Sequence, residues 1–120
     1  MPATGQDVVH WQGDTHQINI KVQDRCGNPV SLAGASAQWW AGKTAESVGA
    51  DIFVRKTSPS GIVFAFDGTF WHLLVNLVPN DTMSTPIGQW YHEAEVTDGN
   101  NDQVTVTVGR FIVKPALITP

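Results

Sequence analysis

Apolar and polar side chains trade places at nearly every step along this chain, and that pattern leaves few folds open. Neighbouring side chains on a strand point to opposite faces, so a period of two gives one face to a core and one to water. In residues 15–23, Ile18, Ile20 and Val22 alternate with Gln17, Asn19, Lys21 and Gln23. Residues 35–41 set Ala37 and Trp39 against Gln38 and Trp40. Residues 89–96 set Trp90, His92, Ala94 and Val96 against Gln89, Tyr91, Glu93 and Glu95. In residues 104–113, Val104, Val106 and Val108 alternate with Thr105 and Thr107. The phase then slips at Gly109-Arg110 to Phe111 and Val113, as it does at a β-bulge.

The remaining stretches read the same way. Residues 51–56 and 62–66 are short strands rich in β-branched and aromatic residues, separated by turn residues 57–61. Residues 70–78 are the most apolar run, with Trp71, Leu73, Val75 and Leu77 on one inward face. That run ends at Pro79, and residues 80–88 are loop chemistry with room for one helical turn. Seven to eight strands with frequent turn signals predict an all-β, antiparallel sandwich. No strand–helix alternation supports a parallel sheet. Residues 1–12 and 115–120 carry no pattern of their own and are expected to be extended arms on a single domain, 1–120.

At 120 residues the chain buries enough surface to form a core without disulfides or metal. Its net charge of −4, with scattered Lys and Arg, argues against nucleic acid as a partner. No apolar run approaches a membrane span, and the N-terminal residues lack a signal-peptide pattern, so synthesis in a cytoplasm is expected. Cys26 sits in a turn-like run and reads as a turn residue.

Asp98, Asn100 and Asp102 have the spacing of the first ligands of a calcium-binding EF-hand loop. Gln103 and Gly109 stand where that loop needs glycine and glutamate, so a hairpin turn explains them better than a weak calcium site. Glu93 and His92 face opposite ways and cannot converge. His10, His16, His72 and His92 have no local metal-ligand spacing. No catalytic, metal or cofactor site is expected.

The five tryptophans need assignments. Trp39 is the best core candidate, at the position where immunoglobulin-like sandwiches bury a tryptophan. Trp71 and Trp90 are expected to pack with it, alongside Ile18, Ile20, Val22, Leu73 and Val75. Trp11, Trp40 and Tyr91 are candidates for an interface. For Trp40, packing beneath residues 41–49 is an equal alternative.

Two stretches resemble a known family. The run GDTHQINIKVQDRCGNPVSLAGASAQWW resembles the Gly-Asp-Thr opening, alternating strand, Asp-x-x-Gly-x-Pro-Val turn and Leu-x-Gly-Ala segment of small tailed-bacteriophage virion proteins. These are similar to the immunoglobulin-like N-terminal domain of phage baseplate upper proteins. The run GQWYHEAEVTDGNNDQVTVTVGRFIVKP is similar to their closing hairpin. The resemblance implies an immunoglobulin-like sandwich made in a bacterial host cytoplasm and assembled into a virion. It implies a non-enzymatic tail or baseplate adaptor or fibre-attachment protein, or a capsid or neck decoration protein. The partners would be other virion proteins, in multiple symmetric copies. A carbohydrate-binding module presenting Trp11, Trp40 and Tyr91 is the alternative from another class.

Overall fold

The computed structural model describes residues 7–23, 26–44, 46, 51–58, 60–83, 85–100 and 102–115. Eight strands lie among them: β1 (Val8–Trp11), β2 (His16–Val22), β3 (Ser36–Gly42), β4 (Ile52–Thr57), β5 (Ile62–Phe66), β6 (Trp71–Leu77), β7 (Gly88–Thr97) and β8 (Gln103–Lys114). One helical turn, α1 (Pro79–Thr82), follows β6. The five-stranded sheet has the order β1-β8-β7-β3-β4, and the three-stranded sheet the order β2-β6-β5.

The two sheets share one core. Ile18, Ile20 and Val22 of β2, Ile62 of β5 and Leu73, Val75 and Leu77 of β6 come from the smaller sheet. Ala37, Trp39, Ala41, Val54, Ala94, Val96, Phe111 and Val113 meet them from the larger. The register keeps these residues in phase: Ile18 pairs with Val75 and Ile20 with Leu73, while Trp39 pairs with Ala94. A slip of one position would turn each set to water. Trp71 and Trp90, expected in the core, are only half-buried against it. Trp71 leans on Phe66, with ring centres 5.1 Å apart, and Trp90 donates its indole N–H to the Pro86 carbonyl at 2.8 Å.

Three features depart from the sequence reading. The sheet is mixed, because β1 runs parallel to β8, with Val8 opposite Phe111 and Trp11 opposite Lys114. Within the expected N-terminal arm, Val8–Trp11 is therefore a sheet strand; residues 1–6 and 116–120 lie outside the described residues. The bulge falls earlier than Gly109: Ala94 pairs with Thr107 but Glu95 with Thr105, leaving Val106 as the extra residue. Gly109 itself stays in register opposite His92.

Where the chain crosses from β4 to β5, Lys56 lies across Gly61 and pairs with Asp81 on α1 at 2.8 Å. A methyl group at Gly61 would come within 2.5 Å of the Lys56 side chain. The Asp81 carboxylate also accepts the Val78 N–H at 2.7 Å, which caps α1.

Deep in the core the Trp39 indole N–H donates to Nδ1 of His92 at 3.0 Å, and Phe111 packs edge-on against the indole at 5.6 Å. Both Trp39 and His92 are fully buried. Because an indole N–H can only donate, Nδ1 of His92 is bare and the ring proton is on Nε2. Trp39→Phe keeps most of the bulk but deprives that nitrogen of its donor. We expect it to cost about 1–3 kcal/mol beyond the lost volume, and Trp39→Ala about 3–5 kcal/mol, in urea unfolding followed by circular dichroism.

Candidate functional site

The outward side chains of the larger sheet form its most organised polar surface. Pairing sets Gln38 between Thr57 and Glu95, and Trp40 between Arg55 and Glu93. One step on, Gly42 pairs with Tyr91, which faces Arg110 on β8. With no side chain at Gly42, the Tyr91 ring leans toward Trp40, their centres 5.3 Å apart and tilted by 50°.

The polar groups of this face are connected laterally. Tyr91 donates its hydroxyl to Glu93 at 2.6 Å, and Glu93 in turn shares a hydrogen bond with Glu95. Gln38 bonds Glu95 and accepts from Arg55 at 3.1 Å. Burial and the hydrogen bond with Glu93 raise the Glu95 carboxyl above its ordinary value. Burial, then the bond to Glu93, raises the Tyr91 phenol well above its own. The charge of the neighbouring Glu93 adds to that rise at Glu95. Across β8, Arg110 pairs with Asp7 at 2.8 Å and reaches Gln89 at 3.3 Å.

Trp11, Trp40 and Tyr91 all lie on this outer face, but they do not make one platform. Trp40 is only 7% exposed. Tyr91 is half-buried beside it. Trp11 stands apart on β1 with the Lys114 ammonium 5.8 Å from its ring centre. Trp40 is therefore a packed residue of the outer face, not an exposed interface aromatic. The loop suggested to cover it, residues 41–49, lies partly outside the described residues.

The Asp98 segment is a turn. Oδ1 of Asp98 accepts the N–H groups of Asn100 and Asp102 at 2.8 and 3.0 Å, and the Asp98 N–H donates to the Asp102 carbonyl. Gly99 is not in the left-handed conformation that an Asp-Gly hairpin suggests, and the Asp98 carboxylate holds this loop. Asp67 does the same between β5 and β6, accepting from Thr69 and Phe70 around Gly68, whose φ is 102°. The N–H of Phe70, the His72 side chain and the N–H of Thr69 hold the Asp67 carboxyl at about 2. His72 bridges Asp67 at 2.8 Å and Asn19 at 2.7 Å across the outer face of the smaller sheet. Among the described residues no group of three or more His, Cys, Asp or Glu is disposed to hold a metal ion. Cys26 is exposed.

The chain matches no protein-family model and no curated protein.

Sequence reading missed the Glu93–Glu95 pair and its links to Gln38 and Arg55. The alternation put Glu93 and Glu95 on one face, but their partners lie on β3 and β4, whose register the sequence does not reveal. The folded chain holds the Glu95 proton more tightly than the unfolded chain does. The group thus favours the fold below the ordinary glutamate value, and that contribution is lost as pH rises through the raised one. Glu95→Gln should therefore be more stable than the wild type by about 0.5–1 kcal/mol near pH ~7. The gap should close by about pH 4, as read from urea midpoints.

Proposed function

We propose that this chain is an immunoglobulin-like β-sandwich that serves as a non-enzymatic structural component of a tailed-phage virion, docking to other virion proteins through an edge strand. The strand order supports the immunoglobulin-like reading. Lettered in that manner, β2, β5 and β6 correspond to B, D and E, opposite β3, β4, β7 and β8 as C, C′, F and G. Trp39 is then the strand-C tryptophan. The two stretches that resemble phage virion domains cover β2 and β3 at one end of the chain and β7 and β8 at the other.

One observation carries the docking role. Strand β5, Ile-Val-Phe-Ala-Phe, is one of the two outer strands of the smaller sheet and has no charge or proline along its length. Val63 is 52% and Phe66 56% exposed. Edge strands that must stay single usually carry charge, proline or a bulge, or are kept very short. The other edges follow that practice: β4 carries Arg55 and Lys56, β2 carries Lys21, and β1 has four residues. An uncharged edge with exposed apolar side chains is suited to receive a strand from a partner, the backbone supplying affinity and alternate side chains specificity. Symmetric copies in a virion would add avidity to so small a contact. A tail or baseplate position and a capsid or neck position fit this surface equally. The sugar-binding alternative lacks a flat platform, because Trp40 is buried and tilted against Tyr91.

Mass spectrometry of separated heads and tails from purified particles should find the chain in one fraction; its absence from both would overturn the virion role. Val63→Lys puts a charge on the β5 edge without touching the core. It should lower incorporation into particles by about tenfold or more, equivalent to about 1.4 kcal/mol of contact, while the melting temperature stays close to that of the wild type. Unchanged incorporation would rule out docking through β5.

A further inference from the structure

Two histidines outside the outer-face site meet head to head where β1 turns into β2. His10, on β1, is fully buried, its ring centre 5.8 Å from that of Phe111. The turn after β1, with Gly13 at φ 79°, carries the chain across to the smaller sheet and brings His16 back to it. The Nδ1 atoms of the two rings are 3.2 Å apart and their ring centres 5.4 Å. The ring planes are nearly parallel, at 8°, and the rings meet through these two nitrogens. On its far side, Nε2 of His10 meets the Thr82 hydroxyl of α1 at 2.8 Å, and that hydroxyl also accepts the Gly13 N–H at 3.0 Å.

Such a contact needs one N–H and one bare nitrogen. A neutral pair meets that condition. A singly protonated pair meets it too, because one ring then carries two N–H groups while the other still presents a bare Nδ1 to it. A doubly protonated pair cannot, since N–H then points at N–H and the buried His10 meets a second positive charge on the half-buried His16. The other charged groups facing the pair offer little relief. Asp14, in the turn, is exposed, and Asp81, on α1, is already engaged by Lys56 and by the Val78 N–H. Lys114, on the neighbouring β8, is turned to the outer face over Trp11.

We propose that the His10–His16 pair is an acid-sensitive latch: it holds β1 against β8 while the pair carries at most one extra proton, and releases the strand when both rings are charged. Strand β1 is suited to such control. It has four residues, pairs only with β8 among the described strands, and is bolted to the α1 segment by His10, by Gly13 and by the Gln12 side chain on the Thr85 carbonyl. Its release exposes β8 as a new sheet edge, an opening independent of any partner at β5. Burial, and then the neighbouring His16, lowers the affinity of His10 for its proton below the ordinary value of 6.5. The unfolded segment therefore binds protons more readily than the folded one. The contribution of this group is complete above that value and is lost as pH falls through the lowered one.

Hydrogen–deuterium exchange on the full chain tests the latch, with rates corrected for the intrinsic effect of pH. Between about pH 7.5 and pH 4.5, protection of residues 8–11 and of the β8 residues opposite should fall, by up to about tenfold per pH unit for each proton that the released strand binds and the latched one does not. Residues 37–41 and 92–96 should keep theirs. Constant protection of β1 over that range would overturn the proposal, and so would uniform loss across both sheets. In His16→Gln the amide oxygen still accepts from Nδ1 of His10 but does not titrate, so the acid step in β1 should flatten. A step of wild-type size in that variant would equally overturn the latch. Should the variant fail to fold, the wild-type comparison decides alone.

Discussion

An indole can be buried between two sheets only if something in the core accepts its N–H, and here the acceptor is Nδ1 of His92. The requirement reaches well beyond one hydrogen bond. It fixes the tautomer of His92 and demands that the two residues meet at the same depth. They come from strands that share a register, with Trp39 opposite Ala94 and His92 opposite Ala41. The small side chains of Ala94 and Ala41 flank the two rings, and Phe111 closes the space from β8. A slip of either strand would bury an unpaired donor and an unpaired acceptor together, at a cost comparable to a sizeable share of the stability of a domain this size. The aliphatic layer of the smaller sheet has no such demand. It supplies area, while the Trp39–His92 pair supplies register.

Alternation made much of this legible. The inward faces of β2, β3, β6 and β7 were readable because their core letters are apolar, or in His92 aromatic, and arrive every second residue. Strand β1 was not, since it is four residues long and its inward pair, Val8 and His10, shares no polarity that sets it apart from Val9 and Trp11. Glycine is the usual mark of a bulge, and the phase change in the sequence points to Gly109. The register instead yields at Val106, inside an unbroken Val-Thr alternation that gives no sign of it. Trp40 was read from its phase as outward, and it is outward. Its burial comes from neighbours on adjacent strands, which only the sheet order supplies. The His10–His16 contact eluded spacing rules for the same reason, because six residues and a turn separate partners that lie on different sheets.

The segment between β6 and β7 shows how few polar groups can fix an irregular stretch. A single carboxylate, Asp81, caps α1 and receives Lys56 from β4, with the Lys56 stem laid across Gly61. Two threonines, Thr82 and Thr85, are buried there and are held from β1 and the turn that follows it. The short helix thus bridges the end of one sheet to the edge of the other.

The parallel pairing of β1 with β8 has a mechanical consequence. Because the two strands run the same way, the backbone before Val8 and the backbone after Lys114 leave the pair in opposite directions. Tension between the two ends would shear the ladder lengthwise, loading its bonds at once instead of peeling them singly. The rate of forced opening would then be set by joint rupture of that small patch.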